Sequence, residues 1–202
     1  MRFGERETVA AAVSAAFRCE GGMPEPSPSV SLTERGLLYL SLSPRLTQSQ
    51  FESVSRGSEE VGDKWFYLAH VERSHSEQRL PPLSASTLHD FRLGAHDYEG
   101  YLQSVPPSGA SHVLVSPSNI WGVYVEDEGV AVVAGDENFV SAVYADQPPA
   151  LDQAVHFAGD ILSAKVPGLE RWVAELLRDV LGPEAADEVL SKAAAAQASV
   201  PE

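Results

Sequence analysis

The stretch Trp121-Gly-Val-Tyr-Val-Glu-Asp-Glu-Gly-Val-Ala-Val-Val-Ala134 decides the fold class of this chain. Two runs rich in valine and aromatic residues, which favour the pleated conformation, flank the polar segment Glu126–Gly129. Glycine at the end of that segment suits a tight turn with a positive φ. The stretch therefore predicts two antiparallel strands joined by a hairpin. Because Trp121 and Tyr124 differ in parity, we expect them on opposite faces of the sheet.

The flanking segments extend this hairpin into an α+β fold. His112-Val-Leu-Val115 predicts a preceding strand, which makes a β-meander. Asp136 and Glu137 precede a predicted helix at 138–145, where the helix dipole favours acids. Further helices are predicted at 149–163, at 169–181, where apolar residues recur at helical spacing, and at 184–196 after Gly182-Pro183.

The first half is less regular, and it predicts shorter elements. Thr47 is a candidate N-cap with Gln50 as its capping-box partner for a helix to about Gly57. The remaining predicted elements are strands at 37–42, 64–71 and about 87–93, and a short helix at 97–103. The predicted organisation is an N-terminal helix at 1–19, a proline-rich linker or loop at 20–33, one α+β domain at 34–197 ending in two helices, and a frayed tail at 198–202. The fold class is an antiparallel β-meander packed by helices, with helical N- and C-terminal segments.

Negative charge is concentrated in one part of the chain. The formal net charge is −15, and the segment from Leu93 to Ala164 holds ten acidic residues without any Lys or Arg. Such a chain should repel nucleic acid and anionic membranes and attract basic surfaces. The alternative is that the acidic composition only aids solubility.

Cysteine usage and hydropathy favour the cytoplasm. With Cys19 as the single cysteine, the chain cannot form an internal disulfide, which suits a reducing compartment. The apolar run Val9–Phe17 superficially resembles a signal peptide, but Glu5 and Glu7 lie in its would-be basic region and no clean cleavage site follows. No stretch reaches the ~18 apolar residues of a membrane span. We therefore expect a cytoplasmic protein.

The familiar catalytic signatures are absent from the sequence. His89-Asp90 and His96-Asp97 are seven residues apart and would share a face of a continuous helix, which could hold a divalent metal. Gly94 lies between them in an irregular region, so solvated loop residues are the favoured interpretation, and we expect neither metal nor cofactor. His70 is interpreted as a core or edge histidine of its strand.

The carboxylates around the hairpin are the candidate site. Acids at turns and helix starts are typically solvent-facing, so they should form one strongly negative face where a basic protein partner docks. Their spacing does not match an EF-hand loop, whereas a carboxylate pair for glycoside hydrolysis has no fixed spacing and stays open. The predicted partner-binding residues are Glu126, Asp127, Glu128, Asp136 and Glu137.

The second half of the chain contains the stretch Pro117-Ser-Asn-Ile-Trp-Gly-Val-Tyr-Val-Glu-Asp-Glu-Gly-Val-Ala-Val-Val-Ala-Gly-Asp-Glu-Asn-Phe139. This stretch resembles the strand–turn–strand–helix end of small bacterial immunity proteins, the cytoplasmic antidotes of polymorphic toxins. It covers under a quarter of the chain. The resemblance implies a toxin-neutralising role and carries over no individual functional residue.

Three functions follow in order of preference. The first is an acidic cytoplasmic binding protein, not an enzyme, that neutralises or masks a basic partner. The second is a homo-oligomeric scaffold or assembly subunit, in which Trp172 on the 169–181 helix would be a dimer contact rather than a core anchor. The third is a hydrolase that uses carboxylates.

Overall fold

The computed structural model describes residues 11–12, 17–18, 25–26, 34–41, 43–70, 90–105, 111–126 and 129–198. The strands are β1 (Phe17–Arg18), β2 (Glu25–Pro26), β3 (Glu34–Tyr39), β4 (Trp65–His70), β5 (Asp90–Gly94), β6 (His112–Val115), β7 (Trp121–Glu126) and β8 (Val130–Gly135). The helices are α1 (Gln48–Glu60), α2 (Tyr98–Ser104), α3 (Glu137–Tyr144), α4 (Ala150–Ser163), α5 (Leu169–Leu181) and α6 (Pro183–Ala198).

Six strands form one sheet in the order β3-β8-β7-β6-β4-β5, and every neighbouring pair is antiparallel. Strands β6, β7 and β8 are the meander expected from the sequence, and Gly129 in their hairpin has φ of 88°. The α+β prediction is therefore confirmed. The strand order, with β3 beside β8 and β4 beside β6, is set by long-range pairing that the local patterns do not encode.

Helices cover both faces of this sheet. Helices α1 to α3 pack on one face, here the α1 face, and α4 to α6 pack on the other, the α4 face. Trp121 lies on the α1 face, stacked on Phe139 with ring centroids 4.6 Å apart, whereas Tyr124 belongs to the α4-face core. The prediction that these two aromatics face opposite ways is confirmed. Because both faces are covered, β7 and β8 are buried along their whole length.

The N-terminal predictions are wrong at four described positions. Phe17 and Arg18 pair with Pro26 and Glu25 in a two-stranded ladder, instead of continuing the predicted helix and proline-rich loop. Proline has no N–H for a ladder, but it is tolerated where that position faces outward. Upstream, Ala12 is helical and buried in the α4-face core. The other residues of these two predicted segments lie outside the described residues, as do 199–202 of the predicted frayed tail.

Side-chain amides occupy the outer edge of β3. Gln153 Oε1 accepts a hydrogen bond from the Tyr39 N–H at 3.0 Å, and Gln50 Nε2 donates to the Tyr39 carbonyl at 2.8 Å. Gln50 Oε1 also accepts from the Thr47 N–H at 3.0 Å, which completes the predicted capping box of α1. Edge strands otherwise present unpaired backbone groups that can recruit another strand. The two glutamines close this edge at Tyr39.

Two buried tyrosines should respond in opposite ways to loss of the hydroxyl group. The Tyr144 hydroxyl is buried without a hydrogen-bond partner among the described residues. In contrast, the Tyr101 hydroxyl accepts from the Leu46 N–H at 2.9 Å and lies 2.9 Å from His112 Nε2. We expect Tyr144→Phe to leave the free energy of unfolding unchanged or raise it by about 1 kcal/mol, and Tyr101→Phe to lower it by about 2 kcal/mol. Urea denaturation measures both, and an equal loss in the two variants would contradict this account.

Candidate functional site

Among the described residues of the predicted site, the structure separates Glu126 from Asp136 and Glu137, which lie at the opposite end of the β7–β8 hairpin. Glu126 pairs with Val130 at the turn, whereas Asp136 follows Gly135, which pairs with Trp121 at the other end. With a rise of about 3.3 Å per residue, β8 keeps the two groups roughly 17 Å apart. The expectation of one continuous negative face is therefore wrong. Asp127 and Glu128 lie outside the described residues.

Glu126 is buried, contrary to the expectation that it faces solvent. Its carboxylate accepts hydrogen bonds from Ser111 Oγ at 3.0 Å and from the Tyr124 hydroxyl at 2.6 Å. The parity that Glu126 shares with Tyr124 places both side chains on the α4 face, and that face is covered. Glu126 is thus a structural residue inside the sheet layer.

Asp136 and Glu137 begin α3 at the far end of the hairpin. Asp136 Oδ1 accepts from the Asn138 N–H at 2.9 Å and from the Phe139 N–H at 3.4 Å, which makes it the N-cap. Glu137 is exposed in the first turn. The helix begins one residue before the predicted position 138, and acids lie at its N-terminus as predicted. Asp136 satisfies orphan N–H groups there, and Glu137 complements the dipole.

Neighbouring elements bring further carboxylates to the same end of the sheet. Helix α1 runs antiparallel to α3. Near the end of α1, Gly57 packs on Phe139 and Val143 of α3. Arg56, one residue earlier in α1, pairs with Asp146, which lies beyond the end of α3. The C-terminal turn of α1 therefore ends beside the start of α3. The Ala95 N–H also bonds the Lys64 carbonyl at 3.1 Å, which holds the start of α2 at this end.

We name this surface the acidic end. Within the described segments that form it, 57–65, 94–99, 116–121 and 135–139, the basic residues are Lys64 and His96, and His96 Nε2 lies 2.8 Å from Glu59 Oε1. Carboxylates at exposed helix termini attract cations over a distance set by the Debye screening length of the solution. The acidic end comprises six carboxylates that are at least partly exposed: Glu59, Glu60, Asp97, Glu99, Asp136 and Glu137.

Sequence reasoning missed Glu59, Glu60 and the start of α2 as parts of this surface. Glu59 and Glu60 precede the base-free run, and the first half looked unremarkable in charge. The adjacent pair at the predicted end of a helix was a usable signal, but only the antiparallel packing of α1 on α3 links it to Glu137.

A seventh carboxylate at this end, Asp63, is turned inward and buried. Its Oδ2 accepts from Ser116 Oγ at 2.6 Å and from Trp121 Nε1 at 2.9 Å, and its Oδ1 accepts from Ser118 Oγ at 3.1 Å. Asp63 thereby ties the segment after α1 to the turn between β6 and β7. It supports the acidic end without contributing to the exposed surface.

The described histidines form no metal-binding cluster with these acids, although His96 pairs with Glu59. Asp97 caps α2 through the Gly100 N–H at 2.9 Å, and Asp90 begins β5, so the two His-Asp pairs do not share one helix; His89 lies outside the described residues. His70 Nε2 donates to the Ser104 carbonyl at 2.9 Å from a half-buried strand position, as a core or edge histidine would. Among the described residues, no three His, Cys, Asp or Glu side chains are grouped to hold a metal ion.

Trp172 packs within the chain. Its ring meets the Phe157 ring edge-on at 5.8 Å and borders the α4-face core, so the core-anchor interpretation is confirmed. The homodimer contact through this helix stays a prediction.

A concave feature lies beside the C-terminal half of β3, at the turn end of the sheet. It is a cleft of about 470 Å³ between α1, the linker from α3 to α4, α4 itself and α6. Its lining includes Gln50, Gln147, Gln153, Asp152, His156 and Lys192.

No protein-family model, curated protein or solved structure matches the chain. The resemblance of Pro117–Phe139 to immunity proteins therefore stays a prediction. Among the described residues, no helix is both long and apolar enough to cross a bilayer.

Tyr39, at the cleft, should make the fold sensitive to alkaline pH. Burial, followed by the Asp160 carboxylate that its hydroxyl donates to, raises the pKa of Tyr39 to about 12. The tyrosines of the unfolded chain ionise at about pH 10. The stabilisation of the fold by un-ionised Tyr39 is therefore complete below that pH, and it is lost as the pH rises through about 12. We expect Asp160→Asn to lower the midpoint of the ultraviolet phenol titration. Tyr39→Phe should abolish that transition, and an unshifted midpoint in Asp160→Asn would exclude Asp160 as a cause.

Proposed function

We propose that this chain is an acidic binding protein that neutralises or masks a basic protein partner, and that the partner docks at the acidic end. The observation that carries the proposal is the composition of that surface. Six carboxylates that are at least partly exposed lie there, and the bases beside them are Lys64, His96 and Arg92, whose guanidinium lies 3.9 Å from the centre of the Trp65 ring.

The arrangement suits fast and specific association. Complementary charges raise the association rate and suppress wrong partners more than they add raw affinity. Asp97 and Asp136 are already fixed as helix caps, and the other four acids stand on termini of helices held by the α1-face core. A surface ordered before binding loses less conformational entropy on docking.

The immunity-protein resemblance supports the same role. On this proposal the partner is a cationic toxin, and the chain acts in the cytoplasm, where a protein with a single cysteine is suited to reducing conditions. The net charge of −15 adds long-range attraction to any basic partner.

Charge reversal at the acidic end tests the proposal. The probe is the basic protein that the chain recovers by pulldown from its native host, purified and titrated by calorimetry. We expect the double variant Glu60→Lys/Glu137→Lys to weaken binding about thirtyfold, about 2 kcal/mol, because both side chains are exposed and face the partner's cations. The affinity of the unchanged protein should fall steeply between low and moderate salt.

The matched control is Glu170→Lys/Glu184→Lys, which makes the same change in net charge on α5 and α6. Those residues are also exposed. The control should change the affinity less than about threefold. An equal loss of affinity in the two double variants would mean that net charge alone governs association. Binding that is insensitive to salt would contradict the proposal.

A further inference from the structure

The cleft beside β3 is separate from the acidic end. Tyr39, which lines it, pairs with Val130 next to the hairpin turn, whereas the acidic end lies at Gly135. Its volume of about 470 Å³ falls within the range of roughly 300–1,000 Å³ that small-molecule sites occupy. The cleft is a different surface, with a different composition.

The cleft lining carries one carboxylate, Asp152, and one ammonium, Lys192. Lys192 Nζ lies 2.7 Å from Glu188 Oε1, and Glu188 together with Asp152 raises the pKa of Lys192, so its ammonium stays charged and compensated. An anionic ligand would have to compete with those two carboxylates for Lys192. A cationic ligand would meet the ammonium itself. The charge distribution therefore favours an uncharged ligand.

Three glutamine amides supply both donors and acceptors. Internal bonds fix their orientation: Gln50 to the Tyr39 carbonyl, Gln153 to the Pro148 carbonyl at 2.8 Å and Gln147 Nε2 to Ser53 Oγ at 2.9 Å. A primary amide has two N–H groups and an oxygen with two lone pairs. After its contacts, Gln50 keeps one N–H because Thr47 occupies its oxygen, Gln147 keeps its oxygen as an acceptor, and Gln153 keeps one N–H and one lone pair. The amides are thus preorganised within a lining that mixes polar and apolar surface.

The backbone at the cleft is also unusual. Ser41 lines it with φ of 50°, a left-handed conformation that costs a non-glycine residue energy and that clusters at functional sites. Its side chain adds a hydroxyl to the lining. Val155 and Pro148 supply a small apolar surface.

We propose that this cleft binds a small, uncharged, polyhydroxylated ligand, a monosaccharide or sugar-like polyol. Hydroxyl groups both donate and accept, so a ring of them complements amides that offer both functions. The C–H face of such a ring would lie against Val155 and Pro148. Little apolar area is available, so the affinity should be modest, in the millimolar range.

Side-chain amide resonances test the proposal directly. We would titrate the full chain with D-glucose and N-acetyl-D-glucosamine and follow the NH₂ signals of Gln50, Gln147 and Gln153. At least one sugar should give saturable shifts in these signals. Gln147→Ala should weaken binding about fivefold, as expected for one lost hydrogen bond of about 1 kcal/mol. Gln48→Ala, an exposed amide on α1 outside the cleft, should not.

Ser41→Ala provides a second variant, because its exposed hydroxyl can be removed without touching the Ser53 contact of Gln147. Ser41→Ala should also weaken the binding of the sugar. Shifts that stay linear, or that appear only outside the cleft, would overturn the proposal. Saturable binding of glycine or inorganic phosphate in place of both sugars would overturn the assigned ligand class. None of these outcomes depends on the acidic end.

Discussion

Replacing Asp63 with alanine is expected to lower the free energy of unfolding by about 4 kcal/mol, the largest effect we expect from any carboxylate among the described residues. The carboxylate is buried, and it accepts from Ser116, Ser118 and Trp121. Its removal leaves the indole N–H and at least one hydroxyl desolvated without an acceptor, at about 1–3 kcal/mol each. Guanidinium denaturation followed by tryptophan fluorescence measures the loss.

Two further variants separate this network from a general effect of lost charge. Asp63→Asn keeps the shape but replaces one acceptor by a donor, so it should fall between the original protein and Asp63→Ala. Asp97→Ala removes an exposed cap and should cost about 1 kcal/mol. A loss in Asp63→Ala no larger than that in Asp97→Ala would show that the turn between β6 and β7 does not depend on this carboxylate.

Glu126→Ala is expected to destabilise the fold by about 3 kcal/mol and to leave the affinity for a basic partner unchanged. Ser111 and Tyr124 donate to this buried carboxylate, and without it both hydroxyls lie in the sheet layer with less than their full complement of acceptors. The side chain has no solvent exposure through which to meet a partner. Denaturation and partner titration on the same preparation test both halves.

Glu137→Ala is the matched variant with the opposite expectation. It removes an exposed acid from the first turn of α3, so the unfolding free energy should change by less than about 1 kcal/mol. Partner affinity should nevertheless fall. If Glu126→Ala weakened binding as strongly as Glu137→Ala, the turn end of the hairpin would belong to the docking surface after all.

Much of the fold was readable from local patterns. The meander, the Thr47 capping box and α5 follow from runs of strand-forming residues, a capping sequence and helical spacing, which act over a few residues. The boundaries of β3 were not readable, because its pairing with β8 begins at Glu34, ahead of the apolar run. The strand order was equally hidden, since it depends on contacts between residues far apart in sequence.

The residues of the candidate site also divide into those that local patterns reveal and those that only tertiary packing reveals. Asp136 and Glu137 were found because helix starts have a local signature. Glu126 was misplaced because turn acids are usually solvated; its shared parity with Tyr124 was the signal that it points into the sheet layer. Glu59 and Glu60 reach the surface of the site only through helix packing. Composition therefore gave the sign of the charge, and tertiary structure gave its location.

The burial of β7 and β8 on both faces has a consequence for how such a protein can diverge. Every side chain along these strands is enclosed, so almost any exchange there changes packing volume and is constrained by stability. Recognition must then be encoded on the outer surfaces of the helices and in the loops. Those surfaces can accumulate substitutions, and with them new partners, while the sheet stays fixed as an invariant scaffold.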